Sequence, residues 1–517
     1  MKKKYIAIAF LFMLSVATSC KKDFVDLLPE DSVAPDKFYQ TDEQLQQAAI
    51  AIYVPLRDML VNDYHTSEMR SDNTHYLPNP VNRGTATVYR ENVSDWNNDA
   101  NNDYVNAVYY HCYTGISRAN ILIGRIPNAA RASAEGKTKA DGQAKFLRAF
   151  FYFKLVRLFG GVPLYLAEVT KADEAFKDRA TVEQVYAQII ADATDALNEL
   201  KAPGAFPQTG EATKGSATML LADVYATLKR YAEAEVLLNT LPGMGYGLNA
   251  TYAQAFLPTN KNSKESLFEV QYLEGNSATS QPNAFIFQFM PKTTTTVLIT
   301  GNVPSNTSGA GWNIPSFDLL ADYEANDQRL PASVGIAEGT WDASFIMRIT
   351  AVKSPVGYTT PAGLNSTAFI KKYVHGPYTV ASNSGENWPI YRYAEALLLL
   401  AEVLNEQGKS PLVPLNAVRR RAGLLTDVTT NSQVTLRDII MHERRVELAF
   451  ENKRFNDLQR MPNGLAIMQA YGVKAKATYS HLESNAFSIE SHEFIYPIPL
   501  PERNLNPGMK QNPGYAF

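Results

Sequence analysis

His442-Glu443-Arg444-Arg445-Val446 begins like the helix of a zinc peptidase. In that helix two histidines four residues apart hold the metal and the glutamate between them activates water. Val446 stands where the second histidine must be, so the metal would lack a ligand. Gly408-Lys409-Ser410 ends like a phosphate loop, but Val403 replaces its first glycine. Gly243, Gly245 and Gly247 do not fit the dinucleotide spacing, and no Gly-x-Ser-x-Gly elbow presents a nucleophilic serine. The seven histidines are scattered, with no close pair except His65 and His75. Paired carboxylates have no sequence signature, because any fold can bring Asp and Glu together. The sequence thus assigns no catalytic residue, no metal ligand and no cofactor.

Cys20 offers a different chemistry. Lys2, Lys3 and Lys4 precede an apolar run from Tyr5 to Val16, followed by Ala17-Thr18-Ser19-Cys20. A helix of that run is about 18 Å long, short of the roughly 30 Å hydrocarbon core, so it reads as an export signal. Its end resembles a bacterial lipoprotein signal, in which Cys20 is acylated and becomes the first residue, although Ala17 occupies a place where a large aliphatic residue is usual. This divides the start into a signal peptide, 1–19, and a lipidated polar tether, 20–36. With Cys20 lipidated, Cys112 has no disulfide partner. Lying among Tyr109, Tyr110 and Tyr113, it is expected to be a small buried apolar residue. No later segment has 18 uncharged apolar residues, so the body is held at a membrane by its end.

The chain has 517 residues, 45% hydrophobic and 20% charged, with net charge −3. These are globular values, and a grip on nucleic acid would need clustered positive charge, so no nucleic-acid partner is expected. Apolar residues recur at helical spacing from about Thr41, through Leu45, Ala48, Ala49, Ile52 and Leu56. Further helices are predicted over Tyr104 to Ile123, over Asp141 to Phe159 with Gly160-Gly161-Val162-Pro163 as the stop, and from Thr181. Thr213 to Leu241 reads as a helix pair with small alanines beside large aromatics, a tetratricopeptide-like spacing. Second and third pairs are predicted at Tyr391–Glu406 with Pro411–Ala422, and at Thr435 to Phe450 with a restart near Arg454. Between Pro242 and Pro389, Gly, Asn, Ser, Thr and Pro dominate, with β-like runs only at Ser266–Tyr272 and Phe345–Val352. The expected fold is mainly α: a TPR-like scaffold of helical pairs (37–241 and 390–517) carrying an irregular loop-rich lobe (242–389) with a few short β segments.

Five blocks in order give the chain a family resemblance. They are Cys20-Lys21-Lys22-Asp23-Phe24; Phe146-Leu147-Arg148-Ala149 through Phe159-Gly160-Gly161-Val162-Pro163-Leu164; and Tyr391-Arg392-Tyr393-Ala394-Glu395 with Val418-Arg419-Arg420-Arg421-Ala422-Gly423. Glu443-Arg444-Arg445-Val446-Glu447 through Glu451, with Arg454-Phe455, is the fourth, and Tyr496-Pro497-Ile498-Pro499 to Asn512-Pro513-Gly514-Tyr515 the last. Together they resemble the SusD/RagB family of surface nutrient-binding lipoproteins of Bacteroidetes. Arg392, Arg419, Arg444, Glu395, Glu402 and Glu447 sit on helices with apolar stripes, so buried Arg–carboxylate pairs are expected of them. The resemblance implies a lipid anchor at the outer membrane, facing the cell exterior. It also implies a glycan ligand, a SusC-like TonB-dependent transporter as partner, and no chemistry of its own. A peptide-binding member of the same family and a TPR-type interaction scaffold are the alternatives.

Sugars present C–H faces to flat rings and hydroxyls to Asn, Asp and Arg, so loops rich in both are the expected sites. The early loop offers Asp72, Arg83, Trp96, Asn98 and Asn101, with the Trp96 ring expected at the surface because Asp95 and Asn97-Asn98 flank it. The lobe offers Trp312 and Asn313, with Trp341 behind them, whereas Trp388 adjoins a helix and is expected to pack. The anchor can be checked directly. Cys20→Ala should move the protein from the membrane to the soluble fraction on cell fractionation, and unchanged sedimentation with membranes would oppose lipidation.

Overall fold

A computed structural model describes residues 38–81, 83–301 and 308–515; the signal peptide, Cys20 and the tether lie outside the described residues. Among the described residues, seven helices precede the lobe: α1 (Asp42–Thr66), α2 (Thr85–Ser94), α3 (Asp103–Arg125), α4 (Ala134–Phe159), α5 (Val182–Glu199), α6 (Lys214–Thr227) and α7 (Tyr231–Leu238). Five helices of seven or more residues follow it: α8 (Tyr393–Glu406), α9 (Leu412–Arg421), α10 (Gln433–Glu447), α11 (Arg454–Arg460) and α12 (Gly464–Thr478). Their ends follow local chemistry. Thr41 and Gln44 form a reciprocal cap that starts α1, and Thr181 and Gln184 do the same for α5. Gly160 ends α4 at φ 71°, a left-handed value that side chains resist. A Cβ at Gly161 would collide with the carbonyl oxygen of Ala180. Two helices were not foreseen. The ten residues of α2 carry little apolar periodicity, and α12 has glycines at Gly464 and Gly472 that mask it.

Successive helices pack in series from α3 through α7, with α1 against α3 and α4. The series then crosses the lobe, because α7 packs on α8, which in turn packs on α9 and α10. The first two helical pairs predicted from periodicity thus join in one stack, interrupted in sequence but not in space, while of the third α10 packs on α8 and α11 packs on α12. Cys112 is fully buried, its Sγ 3.6 Å from Met59 Sδ.

The lobe is stitched by short antiparallel strands: β1 (Thr74–His75), β2 (Ser266–Val270), β3 (Ile314–Pro315), β4 (Val334–Trp341), β5 (Met347–Lys353), β6 (Asn365–Ile370) and β7 (Trp388–Arg392). Strand β1 pairs with β3, β2 with β7, and β4 lies between β5 and β6. The two β-like runs of the sequence correspond to β2 and β5; β1, β3, β4, β6 and β7 have no counterpart among them.

Ion pairs lock the lobe to the helices. Arg392 reaches Glu265 at 2.9 Å, Glu447 at 3.1 Å and Glu451 at 2.7 Å, all four side chains being almost solvent-free. Arg329 of the lobe is fully buried between Asp327, Glu443 and Glu447. Arg419 bridges Glu324 at 2.6 Å and Glu443 at 2.9 Å. The glutamate of the zinc-peptidase-like stretch therefore serves as a structural counter-ion. Arg444 pairs with Asp457 at 2.8 Å, not with Glu447 one turn away. Burial opposes the charge on Asp457, but Arg444 and Arg460 hold its carboxyl well below the usual range. Removing one member of such a cluster strands a charge in a dry interior. Arg392→Ala is expected to destabilise the protein by about 3–5 kcal/mol in chemical denaturation. A loss below 1 kcal/mol would show that water reaches the cluster.

Candidate functional site

Helix α1 has two faces. Leu45, Ala49, Ile52, Leu56, Met59 and Leu60 are buried in the core. Val54, Arg57, Asp58, Val61, Asn62 and His65 recur at the same spacing on another face and line a cleft of about 330 Å³. Arg90 of α2 and Tyr104 in the first turn of α3 join them. The opposite wall comes from the lobe: Tyr272 just after β2, and Gln281, Phe285 and Gln288 around a 3-10 turn. The volume lies within the range of small-ligand sites.

The Arg90 guanidinium lies 4.7 Å from the Tyr104 ring centre and 5.1 Å from that of Trp312. His65 packs 4.7 Å from Tyr104. Burial, and then the charge of Arg90, push the His65 pKa well below its ordinary value, so the ring is neutral. Three buried polar atoms facing this region have no hydrogen-bond partner: Arg90 Nε, His65 Nδ1 and Tyr272 Oη. Buried polar atoms are ordinarily satisfied by protein or by water, and these three have no partner within the protein. Rings and donors converge here as binding a polyhydroxylated ligand requires. No group of three or more His, Cys, Asp or Glu placed to hold a metal ion occurs among the described residues.

The residues selected from sequence are placed differently. Trp96 is 3% exposed, so its ring is in the core, which corrects the surface position expected of it. Arg70 stacks on it at 3.8 Å, and Phe455 and Phe494 close over it. The polar neighbours misled because α2 and the C-terminal segment cover this loop. Asp72 is buried, its two oxygens each 2.8 Å from Arg454, with Arg445 at 3.2 Å. Asn313 is buried and accepts from Thr74 Oγ1 at 2.7 Å. Asn98 is 8% exposed with neither side-chain atom bonded. Trp312, 6% exposed, stands behind Arg90 rather than in the cleft lining. Asn101 is exposed beside the start of α3, and Arg83 is 43% exposed and pairs with Glu91 at 2.8 Å. Trp341 is half-buried at the end of β4, beside Phe345. His75 meets not His65 but His481, Nε2 to Nε2 at 3.2 Å. The residues that line the cleft were missed, although the second, polar stripe of α1 was visible at helical spacing.

Two family profiles match the chain. Residues 23–226 match one described as "Starch-binding associating with outer membrane", and residues 264–515 match that of the SusD family. The chain belongs to the SusD family. It is 29% identical over 550 residues to SusD-like protein P2 of Formosa agariphila, covering 99% of this chain and 100% of that one. It is 24% identical over 433 residues to the starch-binding protein SusD of Bacteroides thetaiotaomicron, 74% of each. A solved SusD homologue from Bacteroides thetaiotaomicron superposes with TM-score 0.75 at 22% identity, covering 93% of this chain and 98% of that one. A laminarin-binding SusD-like protein gives 0.71 at 24%, covering 92% and 100%. Surface glycan-binding protein A from Bacteroides thetaiotaomicron, in complex with laminarihexaose, gives 0.72 at 21%, covering 91% and 99%. The SusD fold is thus shared along nearly the whole chain. The family profile ties such proteins to the outer membrane, and no helix among the described residues is long and apolar enough to cross one.

Beside the cleft, Tyr76 donates to Asp95 at 2.7 Å, and the other Asp95 oxygen is unbonded. Burial foremost, then the charges of Glu91 and Glu483, raise the Asp95 pKa to about 8 against the Tyr76 hydrogen bond. Unfolded, the same carboxyl ionises near pH 4. Between those values the folded chain keeps a proton that the unfolded chain has lost, so stability falls as pH rises across that window. Asp95→Asn is expected to shrink the loss of melting temperature between pH 5 and pH 8. An unchanged loss would place its origin in other groups.

Proposed function

We propose that this protein captures glycan at the outer surface of the outer membrane and passes it to a SusC-like TonB-dependent transporter, held in place by lipid on Cys20. The observation that carries the reading is the cleft between α1, α2, α3 and the lobe, where rings and unpartnered donors meet. Tyr104 supplies a face for a pyranose ring, while Arg57, Asn62, Arg90 and Gln288 supply hydroxyl partners. Trp312 holds Arg90 from behind. Arg83, Asn101 and Trp341 keep enough exposure to meet a longer chain outside the cleft, and Asp72, Trp96, Asn98 and Asn313 act as its supporting frame. Relatives named for starch and laminarin binding support a glycan over a peptide. The cleft performs recognition alone, and delivery falls to the partner.

A half-open site of this kind binds weakly, with a dissociation constant on the order of micromolar to millimolar. Removing the Tyr104 ring should lower glycan affinity by about 1 kcal/mol, roughly fivefold, with the melting temperature little changed. Isothermal titration of the lipidated protein in detergent, against the glycan selected on an array, would measure this. Wild-type affinity in Tyr104→Ala would move the site elsewhere. Failure to co-purify with a TonB-dependent barrel from solubilised outer membranes would count against delivery.

A further inference from the structure

The protein pairs its interior arginines thoroughly. Arg148, Arg329, Arg392, Arg444 and Arg454 each meet a carboxylate, and Arg70 donates to the carbonyls of Val93 and Glu493. Arg57 and Arg90, both half-buried, break that pattern. They line the same cleft, and no carboxylate or hydrogen-bond acceptor among the described residues partners either one. The only acid in the lining is Asp58, which is exposed, and His65 is held neutral. The cleft is therefore cationic on a chain whose net charge is −3.

We infer that the glycan taken here is acidic, carrying a uronate carboxylate or a sulfate ester that Arg57 and Arg90 hold; this rests on the cleft being the glycan site. Arg90 lies against the Tyr104 and Trp312 rings and its Nε is buried, so its terminal Nη atoms are the donors left for a ligand. A planar fork of donors matches a carboxylate or sulfate two bonds at a time. A neutral sugar would desolvate both cations and give only hydroxyls in return, whereas an anion restores the charge they lack. Arg57 also lines a second cavity of about 270 Å³, bounded by Tyr53, Gly210, Glu211 and Gln271. One arginine shared by two adjoining cavities suits a chain of sugars better than a single one, with the charged residue of the glycan at the junction.

The test is titration of the full lipidated protein with four probes. These are an oligogalacturonide, a sulfated carrageenan oligosaccharide, laminarihexaose and maltoheptaose. The inference expects one charged probe to bind at least tenfold tighter than either neutral one. That binding should weaken as salt rises and fall at least tenfold in Arg90→Gln and in Arg57→Gln. Which charged probe binds separates carboxylate from sulfate. Neither arginine has an ion-pair partner to strand, so Arg57→Gln should melt like wild type and Arg90→Gln, which gives up only its ring contacts, slightly below it; circular dichroism checks both. Neutral probes bound as tightly as charged ones, with loss in Tyr104→Ala, would overturn the acidic ligand and leave the cleft as a glycan site. Charged probes bound equally well by both arginine variants would overturn the assignment of the arginines. No binding by any probe would overturn this inference, and the glycan array would then decide the glycan reading separately.

Discussion

Three arginines converge on Glu447, a side chain with no exposure to water. Arg392 and Arg421 share its first carboxylate oxygen and Arg329 reaches the second. Burial alone would push this carboxyl up, but Arg421, Arg392 and Arg329 outweigh it and hold the group charged. Each arginine comes from a different part of the chain: Arg329 from the lobe, Arg392 from β7, Arg421 from the end of α9. Their other partners extend the cluster to Glu265, Glu443 and Glu451. A buried ion cluster of this kind is a poor source of net stability compared with apolar packing, but it tolerates only one arrangement of its members. It therefore fixes where the irregular lobe sits on the helical stack.

The cleft depends on that fixing. One wall belongs to α1, α2 and α3, the other to the lobe, and nothing in helix packing alone would hold the two at ligand distance. The segment from Glu68 to His75 carries the connection. The Glu68 carboxyl accepts from the Phe450 and Asn452 amides and from Asn73, while Asp72 is gripped by Arg445 and Arg454. Two residues later β1 pairs with β3, immediately past Trp312. The aromatic backing of Arg90 is thereby anchored to the same C-terminal helices that hold Glu447. A site assembled on rigid elements with a locked second layer keeps its geometry when empty.

Much of this was legible in the sequence, for a definite reason. The helices with a clear stripe, such as Leu45 to Leu56 or Phe146 to Phe153, announce themselves because packing demands a 3.6-residue period. The buried arginines and glutamates stood out because charges on apolar stripes need partners. Of the expected pairs Arg392 does meet Glu447, but the other partners did not stand out, since Arg444 meets Asp457 and Arg392 also meets Glu265 through contacts that spacing cannot encode. The site was half legible. Trp96 and Asp72 drew attention as polar-loop residues, yet residues distant in sequence cover them. Trp312, expected to meet ligand, instead backs Arg90, which lies on a helix without apolar periodicity. Tyr104 and Tyr272 gave no local sign, because a wall built from two remote segments has no sequence of its own.

The pairing of β2 with β7 has an evolutionary consequence. Val270 and Trp388 sit directly opposite each other in the ladder, so the whole of segment 271–387 leaves and re-enters the scaffold through one narrow neck. Both strands are buried along their length. Chain emerging from a clamped neck can lengthen at little entropic cost, on the order of 0.6 kcal/mol for each doubling. One wall of the cleft, from Tyr272 to Gln288, lies just beyond that neck. That wall can therefore change in length and sequence while the helical stack stays unaltered.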